Sequence, residues 1–169
     1  MESLYDFLNW AWERHQNPLS WYIRPLFVLP FCYFAYKKNP WGITLTVVAV
    51  LSSMFWFPAP DTQDPRAAAF LEMERQYITS SWTMAKSAMT ALVPLWFAVL
   101  AWAFWSRSWL AGFLVINIGA LLKVIWSFYF GGSAAWSIIP AVAIGALVIN
   151  GVGLYVYWRV HRRHAVDAL

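Results

Sequence analysis

The sequence predicts an all-α fold: an integral membrane helical bundle of about five transmembrane helices, with two amphipathic helices on its outer side. Composition is the first observation behind this prediction. Of the 169 residues, 61% are hydrophobic and only 12% are charged, whereas a soluble domain carries about 25% charged residues. So few charges cannot cover a water-facing surface, and much of the surface must therefore face lipid. The 13 tryptophans and 8 tyrosines agree, because their amphipathic rings favour the headgroup level of a bilayer.

The second observation is a series of five apolar segments. Four of them approach or exceed the about 20 residues that cross a hydrocarbon core. The first segment in the chain is shorter and is interrupted by Pro25 and Pro30. It either spans with a kink or forms half of a re-entrant hairpin with the next segment, and we favour spanning. The predicted spans are residues 21–36, 41–57, 84–105, 109–130 and 136–158.

The positions of the basic residues predict the orientation. Cytoplasmic loops of membrane proteins carry an excess of lysine and arginine. If the Arg-rich tail at residues 159–169 is cytoplasmic, the alternation of spans places Lys37, Lys38 and Arg107 on the same side. We therefore predict a single membrane domain over residues 1–169, multi-pass, with its N-terminus outside and its C-terminus in the cytoplasm.

Two segments outside the spans have the pattern of amphipathic helices, and the orientation puts both on the outer side. In residues 1–16, apolar side chains recur at helical spacing with polar ones opposite. Residues 64–80 begin with Asp64 and Pro65, an N-cap residue followed by proline at the first helical position. We expect this second helix to run into the third span near Trp82.

One ionisable residue lies on the apolar face of each outer helix. His15 follows Ala11 by four residues, and Glu74 follows Phe70 by four and precedes Ile78 by four. At about 100° per residue both side chains point into an apolar face. If these faces only packed against apolar side chains or lipid, neither His15 nor Glu74 would be expected on them.

Three cations lie in the outer half of the predicted bundle. Arg24 and Lys86 are near the ends of spans, and Lys123 is about 10 Å below the outer end of the fourth span at 1.5 Å per residue. A charge at that depth costs on the order of 3 kcal/mol, so it tends to face a partner or a cavity. We therefore expect five residues to converge on an outward-facing polar pocket, as ligand-binding candidates: His15, Arg24, Glu74, Lys86 and Lys123.

Each of these residues also has a purely structural interpretation. His15 would be a packed histidine with its hydrogen bonds satisfied. Glu74 would pair with Arg24 or Lys123 and lock the outer helix onto the bundle. Lys86 is close enough to the interface to bury only its stem and keep its ammonium in water.

The chain has no complete catalytic or cofactor motif. It contains no His-x-x-x-His or Glu-x-x-His pair, so we predict no metal site, and no Gly-rich phosphate loop, so we predict no cofactor. The formal charge of +4 is scattered between apolar blocks, which favours positive-inside topology over a nucleic-acid partner. Asn117 and Asn150 are predicted to join spans by interhelical hydrogen bonds.

The stretch His-Gln-Asn-Pro-Leu-Ser at residues 15–20, followed by Arg24 and a proline-broken span, resembles a family of small bacterial multi-pass membrane proteins with an H-x-N-P-x-S motif before the first span. In that family a Pro-rich, acidic segment follows the second span; here residues 57–60 and 71–75 occupy those places. The resemblance implies a bacterial origin and the inner (cytoplasmic) membrane. It implies no activity.

The same stretch has a physical interpretation. Asn17 and Pro18 should end the surface helix, since the residue before proline disfavours the helical region. Ser20 is then placed to N-cap the first span. This would hold His15 beside the outer end of that span.

Three classes of function stay open from the sequence. The first is binding or transport of an anionic lipid headgroup or a small anion. The second is a membrane-embedded enzyme in which His15 and Glu74 form the acid–base pair. The third is an accessory or structural subunit whose exposed aromatics pack on other chains, as a homo- or hetero-oligomer. Membrane lipids are predicted partners in every case.

Overall fold

The computed structural model describes residues 2–62 and 64–166. Residues 167–169 of the predicted tail lie outside the described residues. The described part is 86% helical and contains no strand. The helices are α1 (Glu2–His15), α2 (Pro18–Leu26), α3 (Val28–Tyr36), α4 (Pro40–Ser52), α5 (Pro65–Thr79), α6 (Met84–Trp105), α7 (Trp109–Gly131) and α8 (Ile139–Val166), with 3-10 segments at Ser53–Phe55 and Gly132–Ser137.

Among the described residues, three helices are long and apolar enough to cross a membrane, which fits a membrane protein. They cover Met84–Trp105, Trp109–Ser137 and Ile139–Val160, and the apolar helix Pro40–Phe55 is shorter. The all-α prediction is confirmed. The predicted apolar segment 84–105 coincides with α6, and Thr83 caps the start of this helix by accepting the Lys86 amide at 3.2 Å.

The first predicted span, residues 21–36, is divided between α2 and α3 at Phe27. Pro30 has no N–H to donate to the carbonyl of Leu26, and its ring crowds that carbonyl. The chain resumes its helical bonds at once, since the Phe31 amide donates to the Phe27 carbonyl at 3.1 Å. The break is therefore a kink in one rod rather than a loop.

The larger apolar core joins α3, α4, α6, α7 and α8. Its buried members include Phe31, Leu100, Ile116 and Ile149. At its edge, α2 lies against α8 so closely that a Cβ added at Gly145 would overlap the Pro25 ring. This contact fixes the position of α2 and of the arginine that it carries.

A smaller core seats α5 on the rest of the protein. Phe70 of α5 is buried with Ala135 and Ile138, against Trp21 of α2 and Trp126 of α7. This packing turns one face of α5 inward. Glu74, one helical turn after Phe70, lies on that face.

The turns 37–39 and 106–108 lie next to each other. The Arg107 guanidinium is 5.3 Å from the centre of the Tyr36 ring, and Tyr36 is 5.7 Å from Trp109. Helices α1 and α5 lie at the opposite end: Phe7 of α1 meets Phe55, just after α4, edge-to-face. One end of the bundle is therefore basic, and the other carries the described acidic residues.

Two local predictions are wrong. Ser20 does not cap the first span; Asn17 does, accepting the Leu19 amide at 3.0 Å, because the helix already begins at Pro18. Helix α5 begins after Asp64, whose side chain accepts the Arg66 amide at 2.7 Å, as predicted. However, it ends at Thr79 and does not run on to Trp82.

Candidate functional site

Glu74 lies at the centre of a charged cluster at the acidic end of the bundle. Its Oε1 is 3.5 Å from Nζ of Lys123, and its Oε2 is 3.8 Å from Nε2 of His15. The Glu74 side chain is 23% exposed. One carboxylate thus contacts side chains from two other helices, α1 and α7.

His15 connects Glu74 to Arg24. The Nη2 of Arg24 is 3.1 Å from Nδ1 of His15, and the Arg24 Nε donates to Oγ of Ser53 at 3.4 Å. Arginine can only donate, so Nδ1 of His15 is the acceptor, and in the neutral ring the proton is on Nε2. That Nε2–H faces Glu74. We name the four ionisable residues the outer cluster: His15, Arg24, Glu74 and Lys123.

The end of α1 fixes His15 tightly. His15 is the last residue of α1 and is buried, 6% exposed. Its carbonyl accepts from Oγ of Ser20 at 3.4 Å and from Nε1 of Trp21 at 3.2 Å. Its ring meets Trp12 edge-to-face, with 5.5 Å between centroids. The Asn-Pro break after α1 makes this possible, because it turns the first residues of α2 back toward the His15 carbonyl.

Lys123 forms the exposed edge of the outer cluster. Its side chain is 47% exposed. The ammonium lies 4.7 Å from the centre of the Trp126 ring and 5.7 Å from that of Phe70. These ring faces attract the cation and supplement its pairing with Glu74.

The charges around Glu74 favour its ionised form. Burial by itself raises the pKa of the Glu74 carboxyl, but the contact with the His15 imidazole and the positive charges of Lys123 and Arg24 outweigh burial and hold that pKa below its ordinary value. Glu74 is therefore a carboxylate at neutral pH. Arg24 and Lys123 are two cations against this one anion, which leaves the cluster with one net positive charge.

Lys86 does not join the outer cluster, contrary to our expectation that all five candidates converge. Its Nζ donates to the carbonyl and to Oγ of Ser80, at 2.8 and 3.1 Å. The ammonium also lies 4.4 Å from the Trp82 ring and 5.0 Å from the Tyr77 ring. Because α5 ends before Ser80, a carbonyl becomes available there, and Lys86 folds back to close the corner between α5 and α6.

Sequence reasoning missed Ser53, which is fully buried and accepts the bond from Arg24. A weak signal existed, since Ser52 and Ser53 interrupt an apolar run.

The prediction for Asn117 and Asn150 is confirmed. Each side-chain amide donates to the other's oxygen, at 2.9 and 3.1 Å, and so joins α7 to α8.

Comparisons with protein-family models, with curated proteins and with solved structures find no match to this chain.

Proposed function

We propose that this chain is a five-span protein of the bacterial inner membrane, with its N-terminus outside, that binds an anionic group at the outer cluster. The ligand is the headgroup of an anionic lipid or a small phosphorylated or carboxylated anion. Binding, or transport that begins with it, is the use that the cluster supports best.

Helix lengths support the two additional spans. Helices α2 and α3 have nine residues each and join through Phe27, which gives a rod of about 28 Å at 1.5 Å per residue. The helix Pro40–Phe55 gives about 24 Å by the same rise. Both lengths approach the about 30 Å thickness of a hydrocarbon core. Five spans also place Lys37, Lys38 and Arg107 on one side, which favours that side as cytoplasmic.

The observation that carries the binding proposal is the exposed Lys123 ammonium in a cluster with excess positive charge. Glu74 approaches Lys123 from one side only, and 47% of the Lys123 side chain is open. An anion can therefore contact Lys123 without displacing Glu74. Arg24 and Lys123 together provide the field that attracts it, over the low-dielectric wall of Trp126 and Phe70.

The geometry favours binding over acid–base catalysis by His15 and Glu74. Both ring nitrogens of His15 are already engaged, Nδ1 by Arg24 and Nε2 by Glu74. A general base must be within hydrogen-bond reach of the proton that it removes. With His15 only 6% exposed, a substrate would have to displace one of its two partners.

Thermal unfolding of the purified protein in detergent tests the proposal. Sodium phosphate and short-chain phosphatidylglycerol are the two probes, and phosphatidylcholine is the neutral comparison. A ligand that binds only the folded state raises the melting temperature, so at least one probe should stabilise wild type and should lose this effect in Lys123→Gln. A response to phosphatidylglycerol alone identifies a lipid headgroup as the ligand.

Arg75→Gln is the matched control, because Arg75 is an exposed cation on the same helix as Glu74. It removes one charge and should leave the stabilisation intact. Equal loss in Arg75→Gln and Lys123→Gln would mean that only net charge matters, and would refute a site at Lys123.

A second candidate is a structural or accessory role, and the direct pairing of Glu74 favours it. Through His15 and Lys123, Glu74 ties α5 to α1 and α7. The cluster would then only clamp the outer helices. Exposed aromatic side chains such as Trp41 and Tyr129, 78% and 80% exposed, would serve as contacts to other chains in a homo- or hetero-oligomer.

A further inference from the structure

The turn after α3 and the turn after α6 have the same backbone design. After α3, the Asn39 amide donates to the Phe34 carbonyl and the Lys38 amide to the Ala35 carbonyl, both at 2.9 Å. This pair of crossed bonds is a Schellman motif, which satisfies the last carbonyls of a helix. Asn39 then caps α4, since its side chain accepts the Gly42 amide at 3.0 Å.

The turn after α6 repeats these bonds. The Ser108 amide donates to the Ala103 carbonyl and the Arg107 amide to the Phe104 carbonyl, again both at 2.9 Å. Ser108 then caps α7 by accepting the Ala111 amide at 3.4 Å. The two turns are therefore equivalent in hydrogen bonding and in the way that they start the next helix.

Both turns place a cation where the backbone favours glycine. Lys38 has φ of 54° and Arg107 has φ of 56°. These are left-handed conformations, which strain a residue that has a Cβ, and the equivalent position of a Schellman motif is usually glycine. Backbone strain that is kept at two equivalent positions indicates that the side chains there have a use.

The two turns belong to a larger group of exposed basic residues at one end of the bundle. Lys37, Lys38, Arg107 and Arg159 are all exposed; we name them the basic end. Three of them lie over tyrosine rings: the distances are 5.9 Å for Lys37 over Tyr33, 5.3 Å for Arg107 over Tyr36 and 5.9 Å for Arg159 over Tyr155. The described acidic residues lie at the opposite end of the bundle, on α1, between α4 and α5, and on α5. The charge of the basic end is thus not neutralised by them.

We propose that the basic end binds the phosphates of anionic phospholipids in the adjacent leaflet, with Lys38 and Arg107 as its two principal contacts. Tyrosine rings at the headgroup level support the cations from the bundle side, and lysine and arginine near an anionic membrane surface are attracted to it. The proposal concerns the folded protein, in addition to any effect of these charges on insertion. It involves a different surface from the outer cluster and does not depend on it.

Glycine substitution separates charge from backbone strain. The double variant Lys38→Gly with Arg107→Gly removes both cations and relieves both left-handed conformations. In nanodiscs of phosphatidylcholine we expect it to melt at or above the temperature of wild type. In nanodiscs of phosphatidylglycerol we expect wild type to gain about 4 °C or more, and the double variant to lose at least half of that gain. The series is repeated with Lys123→Gln added to every protein. Lipid binding at the outer cluster then does not contribute to the gain in melting temperature.

The matched control is Arg66→Gln with Arg75→Gln, which removes two exposed cations from α5 at the opposite end. It should gain as much from phosphatidylglycerol as wild type does. The proposal is overturned if the glycine variant gains as much as wild type, or if it is destabilised equally in both lipids, since the charges would then act within the protein. Should the glycine variant not fold, Lys38→Asn with Arg107→Asn replaces it, because asparagine is neutral and tolerates this backbone conformation.

Discussion

Arg24 donates a hydrogen bond to Nδ1 of His15 at 3.1 Å, and this bond decides which ring nitrogen carries the proton. Because Nδ1 accepts from Arg24, the proton of neutral His15 is on Nε2 and faces Glu74. If Nδ1 were protonated, it could no longer accept the hydrogen bond from the Arg24 guanidinium, because both groups would then be donors. The link between α1 and α2 therefore requires a neutral His15.

Variants of His15 should separate its two contacts. His15→Ala leaves the part-buried Arg24 without this acceptor, and we expect a loss of about 1–3 kcal/mol in the free energy of unfolding. In His15→Asn the side-chain oxygen can take the place of Nδ1, so part of the loss should be recovered. Chemical denaturation in detergent measures both. Equal losses in the two variants would show that the Arg24 bond contributes nothing to stability.

The Glu74 carboxylate should make stability depend on pH in the acidic range. Its pKa is lowered from the ordinary value of 4.5, because the contact with His15 and the neighbouring positive charges outweigh burial. A lowered pKa means that the stabilisation is present above 4.5 and is lost as the pH falls through the pKa of the folded state. The melting temperature of wild type minus that of Glu74→Gln should therefore shrink as the pH falls below 4.5.

Glu72 is the control for this measurement, because it is an exposed carboxylate on the same helix as Glu74. The difference between wild type and Glu72→Gln should stay smaller over the same pH range. If the wild-type advantage over Glu74→Gln instead grew on acidification, the sign of the pKa shift would be wrong.

Lys123 and Glu74 should be coupled in a double-mutant cycle. Breaking a fully buried ion pair costs about 3–5 kcal/mol, but the Lys123 side chain is 47% exposed, so a coupling of about 1 kcal/mol is expected after screening. Lys123→Met, Glu74→Gln and the double variant are compared with wild type by thermal melting. Additive losses of stability in the double variant would mean that the Glu74–Lys123 pair does not stabilise the fold. Strong coupling without any response to phosphate or phosphatidylglycerol would favour the clamp over anion binding.

Cysteine labelling tests the proposed orientation. In a Cys32→Ala background, a cysteine at Ser133 should react with an impermeant thiol reagent added to intact cells, and one at Ser106 should react only after lysis. Both positions are exposed. Ser133 is preferable to its neighbour Gly132, whose φ of 51° would strain any side chain. The reverse pattern would invert the topology and place the outer cluster on the cytoplasmic side.

Periodicity was enough to predict that His15 and Glu74 approach each other. Each is the polar residue on an apolar helical face, and two such faces that pack on one bundle bring their polar residues into the same interface. The bounds of α6 also followed from its apolar run, and the start of α5 from Asp64, which caps its own helix. These features depend on neighbours in sequence.

The features that were missed depend on neighbours in space. Lys86 does not join the predicted cluster because its ammonium bonds to the carbonyl of Ser80, just after the end of α5, and no local pattern showed that this carbonyl would face Lys86. The bond from Arg24 to Ser53 requires the end of α4 to lie against α2. A sequence pattern can show that Arg24 needs an acceptor, but it cannot identify an acceptor on another helix.

The close contact of Pro25 with Gly145 has a consequence for the order in which the protein assembles. Helix α2 emerges from the ribosome before α8, against which it lies. The packing of Pro25 on Gly145 therefore supports Arg24 only after α8 has inserted, although the partners of Arg24, His15 and Ser53, are made earlier. Chains that end before α8 would carry every residue of the outer cluster, yet they would lack the surface that aligns Arg24 with His15.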